Sequence, residues 1–157
     1  MEKELPLIEM NKDQVVRILN YIDSSQEEQI KQAIFCQLGN ECFALGHSKE
    51  WGMSYQNDIQ KFLDDVNIEG KSPYWEKLEF NQDKTILYLT GKRVRRCVCS
   101  FGNTETPAKS LCLYCCKTFQ ENLFGTLFNR KVEVEITESS ILGGTRCSTA
   151  IHLLPTT

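Results

Sequence analysis

The chain has no apolar run approaching the roughly 18 residues that a membrane-spanning helix requires. Its opening, MEKELPLIEM, sets Glu2, Lys3 and Glu4 where a secretory signal needs a basic start and an unbroken apolar stretch. The two absences predict a cytoplasmic protein whose thiols are largely reduced. Histidine is scarce, with His47 and His152 alone, so a site built on several imidazoles is excluded. Strong charge of either sign is missing as well: a formal net charge of -3 and a pI near 5.5 offer no general attraction to nucleic acid. Repeats, low-complexity tracts and linker compositions are absent, and 157 residues fall within the usual size of one domain. A chain of that length buries about 70% of its unfolded surface, so it needs no covalent staples.

What the sequence does have is cysteine. There are eight, and five crowd into one stretch: Cys97, Cys99, Cys112, Cys115 and Cys116. Thiolates are strong soft-metal ligands and strong nucleophiles near neutral pH, so the question of function is mostly a question about these side chains. Four disulfides are the reading for a secreted domain, and the missing signal argues against it. Immediately before Cys97 lies the basic run Lys92-Arg93-Val94-Arg95-Arg96. It reads either as a solvated strand edge protected by charge, or as a positive field that lowers neighbouring thiol pKa values or offsets a thiolate cluster.

The first part of the chain, about 11–70, reads as helix. Asn11 with Gln14 has the form of a capping box ahead of Val15, Ile18, Leu19 and Ile22, and Ser25 with Glu28 marks a second start leading to Leu38, where Gly39 interrupts. On an unbroken helix Cys36 and Cys42 lie on different faces; a turn at Gly39-Asn40 is needed to bring them together. Ser54 opens a third helix carrying Ile59, Phe62, Leu63 and Val66, and Gly70 to Pro73 ends it. The period then changes over about 76–154. Leu78–Phe80 and Ile86–Leu89 read as strands around the turn 81–84, and Val94–Cys99 extends the sheet. Ser110 caps a helix reaching Phe128, along which Cys112, Cys115, Cys116, Phe119, Leu123 and Leu127 continue one apolar stripe. Val132, Val134 and Ile136 alternate with Glu133 and Glu135, and after Gly143-Gly144 the residues Cys147, Thr149, Ile151 and Leu153 alternate again. An antiparallel sheet packed by helices, an α+β fold in a single domain 1–157, is the simplest arrangement.

Three chemistries are open to the cysteines. Zinc needs four soft donors converging at about 2.3 Å, and Cys97/Cys99 with Cys112/Cys115 supply two close pairs joined by a loop. On a regular strand Cys97 and Cys99 point the same way about 6.5 Å apart, so they share a metal only where the strand bends or ends, as Ser100 to Asn103 allows. Alternatively the thiols pack as small hydrophobes, the simplest identity for Cys116 and Cys147. Cysteine-dependent catalysis needs an activated thiolate, for which Cys112 in the first helical turn is the candidate, but neither histidine has a readable carboxylate partner.

From Cys97 onward the chain resembles the 4-vinyl-reductase-like family of small-molecule-binding domains, in the form of a cysteine-rich bacterial relative. The likeness rests on Cys97-Val98-Cys99, on the cysteine-led helix ending Glu121-Asn122-Leu123-Phe124, on Lys131-Val132-Glu133-Val134-Glu135, and on the run from Ser139 to Cys147. Cys36 and Cys42 around Gly39 are similar to an N-terminal feature of such relatives. Ser100 stands where relatives have Pro, and Thr118 where they have Gly. The resemblance implies the fold shared with nitric-oxide sensor domains and Golgi transport subunits, with a pocket between helices and sheet for an apolar or metal-linked ligand, and it makes a homodimer reasonable. On that basis Phe119 and Leu123 supply apolar wall, Tyr114 a hydroxyl, and Cys36, Cys42 and Cys116 line or brace the site. The resulting expectation is a sensor-like or carrier-like domain for a small apolar molecule, more an apolar-ligand binder than an enzyme. The alternatives are a zinc-binding interaction module and a cysteine-dependent enzyme.

Overall fold

The computed structural model describes residues 10–156. Four helices come first: α1 (Lys12–Ser25), α2 (Glu28–Leu45), α3 (Ser48–Ser54) and α4 (Ile59–Val66). The capping box at Asn11 forms in full: Asn11 Oδ1 accepts from the Gln14 backbone N–H at 3.0 Å, and Gln14 Oε1 accepts from the Asn11 backbone N–H at 2.8 Å. Two helix starts differ from the sequence reading. Ser25 ends α1 and α2 begins after Glu27 with no side-chain cap. Ser54 likewise ends α3, and the next helix is capped by Asp58, whose carboxylate accepts from the Lys61 N–H at 2.9 Å. An aspartate N-cap three residues before a backbone donor was a signal as good as Ser54, and closer to the apolar stripe it serves.

Gly39 does not interrupt α2. The helix runs through it to Leu45 because Gly39 is buried where the next layer comes closest: a Cβ there would sit 2.5 Å from the Cys115 carbonyl oxygen and 2.9 Å from Thr118 Cβ. Its glycine serves a helix crossing, and Thr118 is accommodated by the small residue opposite.

The sheet has four antiparallel strands, β1 (Trp75–Phe80), β2 (Ile86–Gly91), β3 (Val132–Glu138) and β4 (Ser148–Leu153), in the order β1-β2-β4-β3. The fold is therefore α+β. Ile151 stands opposite both Leu87 and Val134, and Leu78 opposite Leu89, so the period-two pattern collects the apolar side chains on one face. That face is covered by the long helix α5 (Lys117–Phe128) and by α4: Leu123, Phe124, Leu127, Phe62 and Val66 close the core over Val132 and Val134. Glu133 and Glu135 stay exposed, and His152 pairs with Glu135 at 3.0 Å on the wet face. Residues 94–99 do not extend the sheet. They form a bent loop held by one bond from the Val94 N–H to the Thr145 carbonyl, since Gly91 already packs against the Cys147 backbone and ends β2.

The helix carrying the cysteines opens irregularly. Leu111–Cys116 is π-helical and passes directly into α5. Ser110 does not cap it; the carboxylate of Asp23 in α1 accepts from the N–H groups of Lys109 and Ser110 at 3.0 and 3.2 Å, and from the Ser110 hydroxyl. A second small core of Leu19, Phe35, Ala108, Leu111 and Cys115 packs beneath this start.

Candidate functional site

Two features have the chemistry to be functional, and the helix from Leu111 to Phe128 serves both. The first is the set of thiols. All eight cysteines are free. Seven approach one another from α2, the loop after β2, the π-helical turn and the residue before β4, as two groups that adjoin through Cys99 and Cys116. In one, Cys42 and Cys115 are hydrogen-bonded and Cys99 lies alongside. In the other, Cys97 neighbours Cys147, and Cys112 and Cys116 lie near Cys147.

The loop explains how Cys97 and Cys99 reach different groups. The Gly102 and Asn103 N–H groups both bond to the Cys99 carbonyl, at 3.0 and 2.9 Å, turning the chain sharply, and the Cys99 N–H donates to Cys97 Sγ at 3.4 Å. Cys36, on the unbroken α2, stands apart beside Tyr114. The quartet expected to take zinc, Cys97, Cys99, Cys112 and Cys115, spans the two adjoining groups, with Cys99 near both Cys97 and Cys115. Among the described residues, no three His, Cys, Asp or Glu side chains form a ready metal-holding group.

Thiol reactivity also falls differently from the sequence reading. Burial pushes Cys115 well above the ordinary thiol range, pushes Cys116 up to about 12, and raises Cys112 and Cys42. Cys112 therefore gains nothing from its place near the helix start, because lost hydration of a thiolate outweighs the fields around it. Cys147, expected only to pack, is the exception. Its sulfur receives a hydrogen bond from the Cys97 thiol and another from Ser140, whose hydroxyl lies 3.2 Å away, and its pKa is held below that of a free thiol, while that of Cys97 is raised. The alternation of residues 147–153 gave no sign of this, because Ser140 and Cys97 are brought to Cys147 by loops.

The second feature is a cleft of about 530 Å³ between α3, the end of α4, the segment 71–75 and α5. Trp51, Tyr55, Tyr74, Trp75, Phe119 and Leu123 form most of its wall, and Val66 lies at its base. The rings interlock: Trp51 packs edge-on to Tyr55 and Phe62 at 5.7 and 5.5 Å, and Trp75 lies 6.3 Å from Trp51 and from Phe124. Polar groups sit at the rim. His47 occupies the left-handed region before α3 (φ 56°), the Tyr55 hydroxyl donates to Asp65 at 2.8 Å, and Lys71 lies 3.7 Å from Asp65. That bond to a carboxylate raises the Tyr55 pKa, so the phenol stays a donor.

Of the residues expected to meet a ligand, Phe119 and Leu123 line this cleft; Cys36, Cys42, Tyr114 and Cys116 do not. Tyr114 instead donates its hydroxyl to Glu28, and Cys116 Sγ accepts from Gln120 at 3.3 Å. The wall residues Trp51, Tyr55 and Trp75 escaped the sequence reading because they come from a short helix and a strand start with no periodic signature of their own. No helix among the described residues is long and apolar enough to cross a membrane. No family model and no curated protein matches the chain.

Proposed function

We propose that the protein binds a small, predominantly apolar molecule in the aromatic cleft. The observation that carries this reading is the cleft itself: its volume of about 530 Å³ suits a compact organic ligand, and an aromatic wall with a few rim dipoles is the usual composition of such sites. Rings bound edge-on to one another give a stiff wall, so little ordering cost falls on binding. Tyr55 and His47 at the rim are placed to orient one polar end of a ligand whose body lies against Trp51, Trp75 and Phe119. The thiol groups brace the neighbouring stretch of the same helix.

Both tryptophans of the chain line the cleft, so their fluorescence reports its occupation without a label. Titration with N-phenyl-1-naphthylamine is expected to quench that fluorescence saturably and to raise the melting temperature, since a ligand that binds only the folded state stabilises it. Trp51→Ala should weaken both effects. The zinc-module reading makes the opposite demand: chelator lowers the melting temperature of protein purified without added metal, and the probe does nothing. That pattern would overturn the cleft assignment.

A further inference from the structure

Another cavity, of about 390 Å³, opens beside Cys97 and shares no lining residue with the aromatic cleft. Cys97 and Ser140 line it, together with Arg95, Arg96 and Thr104. Three observations make it a built site. The Thr104 hydroxyl is buried and has no hydrogen-bond partner among the described residues, a costly state for a polar group that a ligand would relieve. Two guanidinium groups stand at the same cavity; Arg96 is 3.6 Å from the exposed Glu105, and Arg95 forms no ion pair among the described residues. Glycine stands behind the Cys97 sulfur: a Cβ on Gly102 would come within 3.0 Å of Cys97 Sγ.

We infer that Cys97 and Cys147 form a dithiol exchange site, and that the cavity beside Cys97 takes a low-molecular-weight disulfide bearing carboxylates. Cys97 lines the cavity, and so does Ser140, whose hydroxyl lies 3.2 Å from Cys147 Sγ, so both sulfurs stand at the same wall of it. The Arg pair fits carboxylates bidentately. The sulfur of Cys97 attacks the bound disulfide RS–SR, forming Cys97–S–S–R and releasing RS⁻. Its proton passes to the neighbouring Cys147 sulfur. The Cys147 sulfur then attacks the Cys97 sulfur and expels the second R group, which leaves as RSH with that proton. The two cysteine sulfurs lose two electrons and the small disulfide gains them. Ser140, 3.2 Å from Cys147 Sγ, steadies the sulfur that holds the negative charge before the first step. In a reducing compartment the reverse reaction returns the dithiol.

The test uses the full chain, reduced and then exposed to oxidised glutathione. After the remaining thiols are blocked, peptide mapping should find one disulfide, between Cys97 and Cys147. Cys147→Ser should halt the reaction at a glutathione adduct on Cys97. Replacing Arg95 and Arg96 together with Ala should slow oxidation by anionic oxidised glutathione about tenfold or more, while oxidation by cationic cystamine is not slowed. A disulfide mapped instead to Cys42 and Cys115, or adducts scattered over several cysteines with no Cys97–Cys147 bond, would overturn the exchange site. Equal slowing with both reagents would overturn the anion-selective cavity. The wild-type map decides the first point even if Cys147→Ser does not fold.

Discussion

Gly39→Ala should destabilise this protein, although glycine to alanine inside a helix ordinarily does the reverse. Alanine at a compatible helical site gains about 0.5–1 kcal/mol by restricting the unfolded chain. At Gly39 the new Cβ would lie 2.5 Å from the Cys115 carbonyl oxygen, 3.2 Å from its carbon and 2.9 Å from Thr118 Cβ. The nearest obstacle is backbone within a helix, so it cannot swing aside; α2 or the π-helical turn must retreat by several tenths of an ångström. Overpacking of this kind costs about 1–3 kcal/mol. The clash wins, leaving a net loss of about 1–2 kcal/mol, or a melting temperature about 2–8 °C lower for a domain of this size. Gly125→Ala in α5 is the internal control, because its Cβ would meet only the Arg130 carbonyl at an ordinary 3.4 Å. Thermal and urea unfolding of both variants should move in opposite directions. If Gly39→Ala is as stable as wild type or more so, the close crossing of α2 over Cys115 is wrong.

Leu123 is 3% exposed and sits in the main core as well as at the cleft, so Leu123→Ala should cost about 2–5 kcal/mol in urea unfolding; a loss below about 1 kcal/mol would contradict the packing. Glu138 accepts from the Thr145 N–H at 2.7 Å, from the Arg146 N–H at 3.1 Å and from the Thr145 hydroxyl, which holds its pKa below the usual 4.5. A lowered folded value means the stabilisation is present above the unfolded value and lost as pH falls through the folded one. Glu138→Gln should therefore be less stable than wild type at neutral pH, with the gap closing in acid. A gap that widens on acidification would refute the role given to these bonds.

The parts of the fold that were legible in the sequence are those with a sustained period. The alternation of Val132–Ile136 and the second alternation ending at Leu153 each leave one apolar face turned to the core, whereas in α1 Leu19 is buried as read but Ile18 is exposed and Val16 is buried instead. The errors fall where a local signal was reinterpreted by tertiary packing. Gly39 looks like a stop and is a crossing point; Ser110 looks like a cap and is displaced by Asp23, 87 residues earlier. Val94 to Cys99 has strand-like composition, yet the neighbouring edge is already closed by Cys147. The cysteine stripe was half right for a related reason. Phe119, Leu123 and Leu127 follow α-helical spacing onto the sheet, but the π-helical turn before them advances less per residue, so Cys112, Cys115 and Cys116 do not lie on that line. Two sites on one helix were therefore read as one.

The same geometry predicts that the two sites are linked through α2. Cys42 is hydrogen-bonded to Cys115, and the next residue, Phe43, packs edge-on to Phe119 at 6.3 Å, where Phe119 walls the cleft. Thiol contact and cleft wall thus share one seam between α2 and the long helix. Cutting Cys42 back to alanine removes the contact that sets the distance at Cys115, and the nearest rings able to shift are Phe43 and Phe119. Coupling between residues that share contacts is commonly 0.5–3 kcal/mol. Taking about 0.5–1 kcal/mol at its lower end, probe dissociation constants for Cys42→Ala should rise about two- to fivefold. Cys36 lies on the same helix but faces Tyr114, away from the seam, so Cys36→Ala supplies the comparison. Tryptophan-quenching titrations of the two variants with N-phenyl-1-naphthylamine should separate them, Cys42→Ala weakened and Cys36→Ala as wild type. Equal affinities would mean that α5 holds the cleft wall without help from α2.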